Sequence, residues 1–235
     1  MLYSGKTVLV TGSSRGVGRQ LAEHMLAHGA VVIGFARGEA GIEHPAYHHI
    51  QVDLADGPAI PSAFMAVRKQ VQQIDIVINN AAVLTSQYAM IMPPAAAQAM
   101  VNVNLLAPFL VSREAAKLMR KSKWGRIINI GSMAASLEPM GDSVYAACKA
   151  GLVTLANVMA KEFGSFGVTC NTLAISAIDS DMLRQLPRDK IEAIIAGLPV
   201  PRFARIEDIL NVIDFFASEN SNCITAQTIY LGGVN

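Results

Sequence analysis

Charge, cysteine and aromatic residues are all scarce in this sequence. Asp, Glu, Lys and Arg make up only 16% of its 235 residues, against roughly 25% in an average soluble protein. The 19 basic and 18 acidic side chains leave a formal net charge of +1. Such balance argues against a nucleic-acid partner, which calls for a basic surplus on one face. Three cysteines, Cys148, Cys170 and Cys223, are too few and too scattered for a disulfide framework or a zinc site, and they suit a reducing compartment. The histidines, His24, His28, His44, His48 and His49, form no His-Glu-x2-His pattern, so no metal is expected. Long hydrophobic runs are also missing. Ile76 to Ser112 carries no charged residue, yet Asn79-Asn80, Thr85-Ser86-Gln87 and Pro93-Pro94 interrupt it. It therefore never reaches the roughly 20 consecutive apolar residues of a membrane span. The apolar run after Lys6 is too short and too early for a signal peptide. A soluble cytoplasmic protein with no membrane association is the expectation.

What the chain does have is 52% hydrophobic residues, enough for a large core, and no repeat or linker that divides it. One domain over residues 1–235 is expected. Short β-rich runs fall at Thr7–Val10, Val31–Ala36, His48–Leu54, Ile74–Ile78, Arg126–Ile130, Val168–Ala174 and Thr228–Leu231. Helical spacing of apolar residues marks Gln20–His28, a broken stretch from the Ala95–Met100 region to Arg120, Ser143–Gly164 and Asp208–Ala217. Uninterrupted apolar strands alternating with helices imply a single-domain, Rossmann-like, doubly wound α/β fold, its parallel sheet covered on both faces. Between Arg37 and His49 there is no room for a full helix, so one crossover is abbreviated.

The first chemical signal is the segment Val8-Leu9-Val10-Thr11-Gly12-Ser13-Ser14-Arg15-Gly16-Val17-Gly18, which leaves a strand and enters a helix. Gly12 permits the sharp turn and Gly16 lets the backbone approach a pyrophosphate. Gly18 lets the helix pack close to the sheet, and the helix N-terminal amides then point at phosphate oxygens. A glycine trio alone is weak evidence; the strand-turn-helix context strengthens it.

The spacing is Gly-x3-Gly-x-Gly, and here the sequence begins to resemble the short-chain dehydrogenase/reductase family, whose signature is Thr-Gly-x3-Gly-x-Gly. Asp53-Leu54, Asn79-Asn80-Ala81, Asn104, Ser132 and Tyr145-x3-Lys149 follow in the family's order, so that the resemblance spans nearly the whole chain. Gly125–Ser132 and Tyr145–Leu152 are most similar to the β-ketoacyl-[acyl carrier protein] reductase branch. The resemblance implies a nicotinamide-dependent oxidoreductase that interconverts a carbonyl and a secondary alcohol. A 3-oxoacyl thioester, carrier-bound, is the first substrate it implies, and a small diol, sugar-derived or cyclic alcohol is the alternative. A non-catalytic nucleotide sensor on the same fold is a reading of a different class. A homotetramer or homodimer is implied, paired through the helix around Asn104 to Ala116 and the helix after Ser143.

Tyr145 and Lys149 lie one helical turn apart on one face. A free phenol, with a pKa near 10, is a poor base at neutral pH. A neighbouring ammonium, and a positive nicotinamide ring in the oxidised complex, favour the phenolate, so Lys149 and the bound cofactor are expected to make Tyr145 more acidic. In reduction the same phenol donates its proton to the carbonyl oxygen, with Ser132 hydrogen-bonding that oxygen. By family resemblance, Lys149 also holds ribose hydroxyls, and Asn104 keeps a water near the lysine.

The cofactor reading rests on the end of the second strand, Gly34-Phe35-Ala36-Arg37, where the family's NAD users place an acid and this chain has none before Glu39. Arg15 and Arg37 together offer charge-assisted bonds to a 2′-phosphate, which favours NADP(H). By resemblance Asp53 and the Leu54 backbone meet the adenine, Asn79, Ala81 and Ala82 wall the adenine ribose, and Ile178 and Ser180 hold the carboxamide; Ser14 and Val17 complete the phosphate turn. Two departures stand out. Ala82 replaces a family glycine, and Ile175-Ser176 replaces the usual Pro-Gly after the sixth strand. Substrate choice is expected from Met133 to Ser143 and from the segment Asp181 to Phe203, read as a mobile cover over the site.

Overall fold

The computed structural model of the protein describes residues 2–180, 183–185 and 188–234. Its strands are β1 (Thr7–Thr11), β2 (Val31–Ala36), β3 (Tyr47–Gln51), β4 (Ile76–Asn79), β5 (Gly125–Ser132), β6 (Val168–Ile175) and β7 (Thr228–Tyr230). They form one sheet in the order β3-β2-β1-β4-β5-β6-β7, with every pairing parallel. The helices are α1 (Gly16–Ala27), α2 (Ala59–Gln70), α3 (Pro94–Val101), α4 (Ala107–Ser122), α5 (Ala134–Leu137), α6 (Ser143–Phe163), α7 (Arg188–Ala196) and α8 (Ile206–Ala217).

The expected doubly wound fold is present, and its two covered faces explain the strand composition. Leu9, Ile33, Val77 and Ile127 point into one core with Ile60 and Phe64 of α2, Val111 and Met119 of α4, and Met159 of α6. Their neighbours Val8, Val10, Val32, Ile76 and Ile128 point the other way, onto Leu21 and Met25 of α1 and Ile209, Ile213 and Phe216 of α8. Side chains alternate between faces along a strand, so a strand buried on both must be apolar at every position. Each large side chain of this kind contributes about 1.5–3 kcal/mol relative to exposure.

Several boundaries differ from the sequence reading. The helix α1 begins at Gly16 rather than Gln20, because the glycines that read as loop already form its first turn. The third strand ends at Gln51, which sends Val52-Asp53-Leu54 out of the sheet. Helix α2 was not expected: Pro58 at its N-cap and Pro61 in its first turn mimic a loop, although proline is tolerated there. The segment between β2 and β3 carries no helix, as its length demanded. The break in the long central helix is a π turn, Asn102–Leu106, between α3 and α4.

Two helical stretches, Pro94–Ser122 and Ser143–Phe166, are long and apolar enough by composition to cross a membrane. In the fold they lie against the sheet and contribute Val111, Ala115, Met119, Ala156 and Met159 to a buried core.

The chain runs outward from β1 to β2 and β3, then returns to β4 on the other side of β1. A crevice at the carboxyl ends of β1 and β4 follows from that reversal.

Candidate active site

The crevice is fixed first by hydrogen bonds between the two strands that flank it. Thr11 Oγ1 accepts from the amides of Asn80 at 2.9 Å and Ala81 at 3.0 Å, and Asn80 Nδ2 donates to Thr11 O at 3.0 Å. Ser13 Oγ and Tyr47 Oη are bonded at 2.9 Å in the interior, which ties the glycine turn to the edge strand β3.

The three glycines of the turn have different local reasons. Gly16 has φ +57°, with open space where a side chain would project. Gly18 is a matter of room: a Cβ there would lie 2.2 Å from Gly12 O and 2.4 Å from Asn80 Nδ2. Gly12 combines φ +71° with a Cβ position 3.0 Å from Ala81 Cα. Helix α1 has no side-chain cap and no acid in its first turn, leaving its N-terminal amides and positive dipole end facing the crevice.

An open cleft of about 860 Å³ runs along this edge. The turn from Gly12 through Ser14, Arg15, Gly16, Val17 and Gly18 forms one wall, and Arg37, Asp53 and Leu54 border it. Ala81 and Ala82, after β4, also line it, as do Tyr145 and Lys149 of α6 and Ile178 and Ser180 of the segment after β6. Arg15 and Arg37 are both exposed, and neither is ion-paired among the described residues. Asp53 turns one oxygen back to the Ala55 amide at 2.9 Å. Ser180 Oγ accepts from Leu183 N at 3.3 Å.

Asn79 is the one expected cofactor residue that the structure does not bring to the cleft. Its side chain is buried and donates to Ser112 Oγ and Asn129 Oδ1, both at 2.9 Å. The end of a central strand points it into the core, and Asn80 takes the place on the wall.

On the proton-transfer side, α6 presents Tyr145 and Lys149 on one face, both buried. Ser132, at the end of β5, stands beside the Tyr145 hydroxyl, where it favours the phenolate, and accepts from Ala134 N at 3.1 Å, which fixes its orientation. Lys149 Nζ donates to Ile130 O at 2.7 Å and lies 5.7 Å from the Tyr145 ring centroid.

The electrostatics differ from the expectation. Burial pushes the Tyr145 phenol up to about 12; the Ser132 hydrogen bond opposes this, and the nearby Asp142 and Cys148 add to it. Burial likewise pulls the Lys149 ammonium down to about 8. Desolvation disfavours whichever form is charged, and in the folded chain it is the largest influence on both groups. The phenol is therefore protonated at neutral pH and available as a donor.

Asn104 is wholly buried and clamps one residue: Nδ2 donates to Val83 O at 2.8 Å and Oδ1 accepts from Val83 N at 2.9 Å. Its side chain thus holds the π turn against the segment after β4.

Tyr145 also walls a smaller cavity, of about 120 Å³, shared with Ser132, Met133, Asp142, Ser176 and Ile191. Asp142, Ser176 and Asn80 were not named as site residues from sequence. Asn80 stood inside a recognised triplet, Ser176 stood where the family reads Pro-Gly, and Asp142 fell within the segment Met133 to Ser143 with no motif of its own. Asp181, which opens the expected cover, lies outside the described residues; within that segment Leu183, Ile191 and Ile194 line the small cavity.

Comparison with known proteins agrees with this geometry. The family model described as short chain dehydrogenase matches residues 6–191. The chain is 34% identical to the 3-oxoacyl-[acyl-carrier-protein] reductase FabG of Salmonella typhimurium over 239 aligned positions, covering 99% of this chain and 98% of that protein. It is equally 34% identical to the protein of the same name from Escherichia coli, with the same coverage. Among solved structures, a “putative gluconate dehydrogenase” from Agrobacterium tumefaciens superposes with a TM-score of 0.88 at 27% identity, covering 98% of this chain and 96% of that one.

Proposed function

The chain belongs to the short-chain dehydrogenase/reductase family, whose members are nicotinamide-dependent oxidoreductases, and from that premise we propose that it transfers hydride between NADP(H) and a carbonyl or secondary alcohol. One observation carries the proposal: Tyr145, with Ser132 beside it, stands on the wall common to the large cleft and the small cavity. A group placed there faces a dinucleotide on one side and a substrate on the other.

The cleft fits a dinucleotide in three respects. The α1 amides and the open space at Gly16 suit a pyrophosphate. Two exposed arginines with no ion-pair partner among the described residues border the cleft with Asp53, which supports NADP(H) over NAD(H). The cleft reaches as far as Tyr145 and Lys149.

When bound, the reduced nicotinamide supplies the hydride. Ser132 orients the carbonyl oxygen, and Tyr145 gives that oxygen its proton as the alcohol forms. Lys149, cationic at neutral pH with a value near 8, holds ribose hydroxyls and restores the phenolic proton. A phenol held in its protonated form suits reduction, because oxidation must first remove a proton that burial retains.

For substrate, the names of the curated relatives support a 3-oxoacyl thioester, delivered on a carrier. A small hydroxylated alcohol is the second reading, favoured by the name of the Agrobacterium tumefaciens structure. The protein works in the cytoplasm as a homo-oligomer; exposed Leu106, Phe109 and Val158 on and beside α4 and α6 supply the apolar surface for pairing.

The test is NADPH consumption with a panel that contains an acetoacetyl thioester, simple ketones and hydroxy-ketones. Turnover of at least one class supports the reading. Tight NADPH binding with no turnover across the panel would favour a nucleotide sensor instead.

A further inference from the structure

Gly34 stands inside β2, paired with Val10 of β1 and His49 of β3. Glycine weakens a strand interior and often marks a close approach. A Cβ at Gly34 would lie 2.0 Å from Tyr47 Oη, 2.6 Å from Tyr47 Cζ and 2.5 Å from Ser13 Oγ. Two hydroxyls therefore occupy the space that a side chain would need. Ser13 is 0% exposed and Tyr47 9%, and their oxygens are bonded at 2.9 Å.

The bond joins the edge strand to the glycine turn. Tyr47 opens β3, and Ser13 lies between β1 and α1, 34 residues away in sequence. Ser13 sits between Gly12 and Ser14, which both line the cleft, while its own side chain is turned inward. The turn is held on both flanks. Thr11 Oγ1 accepts from the amides of Asn80 and Ala81 after β4, and on the β2 side Gly12 N donates to Phe35 O at 2.7 Å. The Ser13–Tyr47 bond reaches farthest towards the residues that face a ligand. The segment between β2 and β3 carries no helix; its Ala40 and Ile42 pack on the same core as Tyr47, so the phenol is packed as well as bonded. Burial raises Tyr47 above the ordinary value of a phenol, and the pair is uncharged at neutral pH.

We propose that Tyr47 is a positioning residue for the bound dinucleotide: through Ser13 it holds the glycine turn in the shape that aims its amides at the pyrophosphate. The role rests on the reading of the cleft as a dinucleotide site. It acts on the part that NADPH and NADH share, so it sets the affinity of both alike. The proton-transfer groups on β5 and α6 are not involved.

The test uses Tyr47→Phe, Ser13→Ala and the double variant. Each is read by fluorescence titration with NADPH and NADH and by thermal unfolding. Each single variant should weaken both dinucleotides about fivefold, the scale of one neutral hydrogen bond. In Tyr47→Phe the KM for NADPH should rise while kcat stays within about twofold of the parent. Each single variant also leaves one buried hydroxyl unpaired and should melt at a lower temperature. The double variant removes both hydroxyls, so most of that loss in melting temperature should be recovered. Its dinucleotide affinity should nevertheless stay about fivefold below the parent, because the tie is still absent. A merely structural contact would make affinity follow melting temperature.

An affinity in Tyr47→Phe within about 1.5-fold of the parent overturns the role. Recovery of affinity in the double variant overturns it too, as does a loss confined to NADPH. A parent protein that binds neither dinucleotide fails the cofactor reading itself and removes the role with it. A parent that binds both but reduces no ketone fails only the redox reading, and the affinities then decide.

Discussion

Gly18→Ala isolates the contact that seats α1 against the end of β1. The new methyl carbon would lie 2.2 Å from Gly12 O, 2.4 Å from Asn80 Nδ2 and 2.8 Å from Gly12 C. Carbon atoms pack best near 3.5–4.0 Å, so relief calls for a retreat of the helix by roughly 1 Å. Two of the three obstacles are backbone atoms, which no rotamer change can move aside. Overpacking of this kind costs about 1–3 kcal/mol and sometimes more; taking about 3 kcal/mol, a chain of this size loses about 6–12 °C in melting temperature. The same retreat carries the α1 amides away from the phosphate position, so NADPH affinity falls with stability. Gly16→Ala is the matched control. Its methyl meets nothing within 4 Å, and only the φ of +57° is strained, at roughly 1–2 kcal/mol. Thermal unfolding and NADPH fluorescence titration of both variants give the result: Gly16→Ala melts closer to the parent but binds NADPH poorly, and Gly18→Ala fails on both counts. A Gly18→Ala protein that melts within about 2 °C of the parent would refute the steric reasoning.

Three further outcomes follow from the geometry. Arg37→Ala should weaken NADPH binding about tenfold or more while changing NADH little, as loss of a charge-assisted phosphate contact demands; equal losses in equilibrium titrations with the two cofactors would remove the 2′-phosphate assignment. Asn79→Ala deletes two buried hydrogen bonds, to Ser112 and Asn129, and should lower stability by about 2–4 kcal/mol in denaturant unfolding while leaving NADPH affinity within about threefold; an unchanged midpoint would contradict its interior role. Tyr145, pushed up to about 12 from an ordinary 10, binds its proton more tightly folded than unfolded. Its contribution to stability is therefore complete below pH 10 and is lost as the pH rises through about 12. The difference in phenolate absorbance between the parent and Tyr145→Phe should stay flat to pH 10, and a Tyr145 signal appearing below pH 9 would contradict the burial argument.

Much of the fold was legible because strands covered on both faces must be apolar throughout. Val8-Leu9-Val10, Val31–Ala36 and Ile76-Val77-Ile78 could hardly be anything else, and their parallel order follows from the helices between them. Helix α2 escaped because Pro58 and Pro61 resemble loop residues, although Ile60, Phe64 and Val67 carry a helical spacing and are buried. The glycine turn was readable since backbone conformation and close approach leave a mark on residue type. Asn79 and Asn80 differ only in which way a strand end points them, and adjacent identical residues give no sign of that. The upward shift of Tyr145 in the ligand-free chain was not legible because sequence reveals the neighbouring charge of Lys149 but not the burial of both groups. Asp142 and Ser176 each become visible only once the fold shows that they line the small cavity beside Tyr145.

The placement of Tyr145 between the cleft and the small cavity is tested most directly by Tyr145→Phe, measured side by side for NADPH affinity and for reduction of the best ketone found. Removal of the phenolic proton donor should lower kcat by about 100-fold or more with NADPH dissociation within about threefold of the parent. A Tyr145→Phe protein that reduces the ketone at the parent rate would contradict the assignment outright.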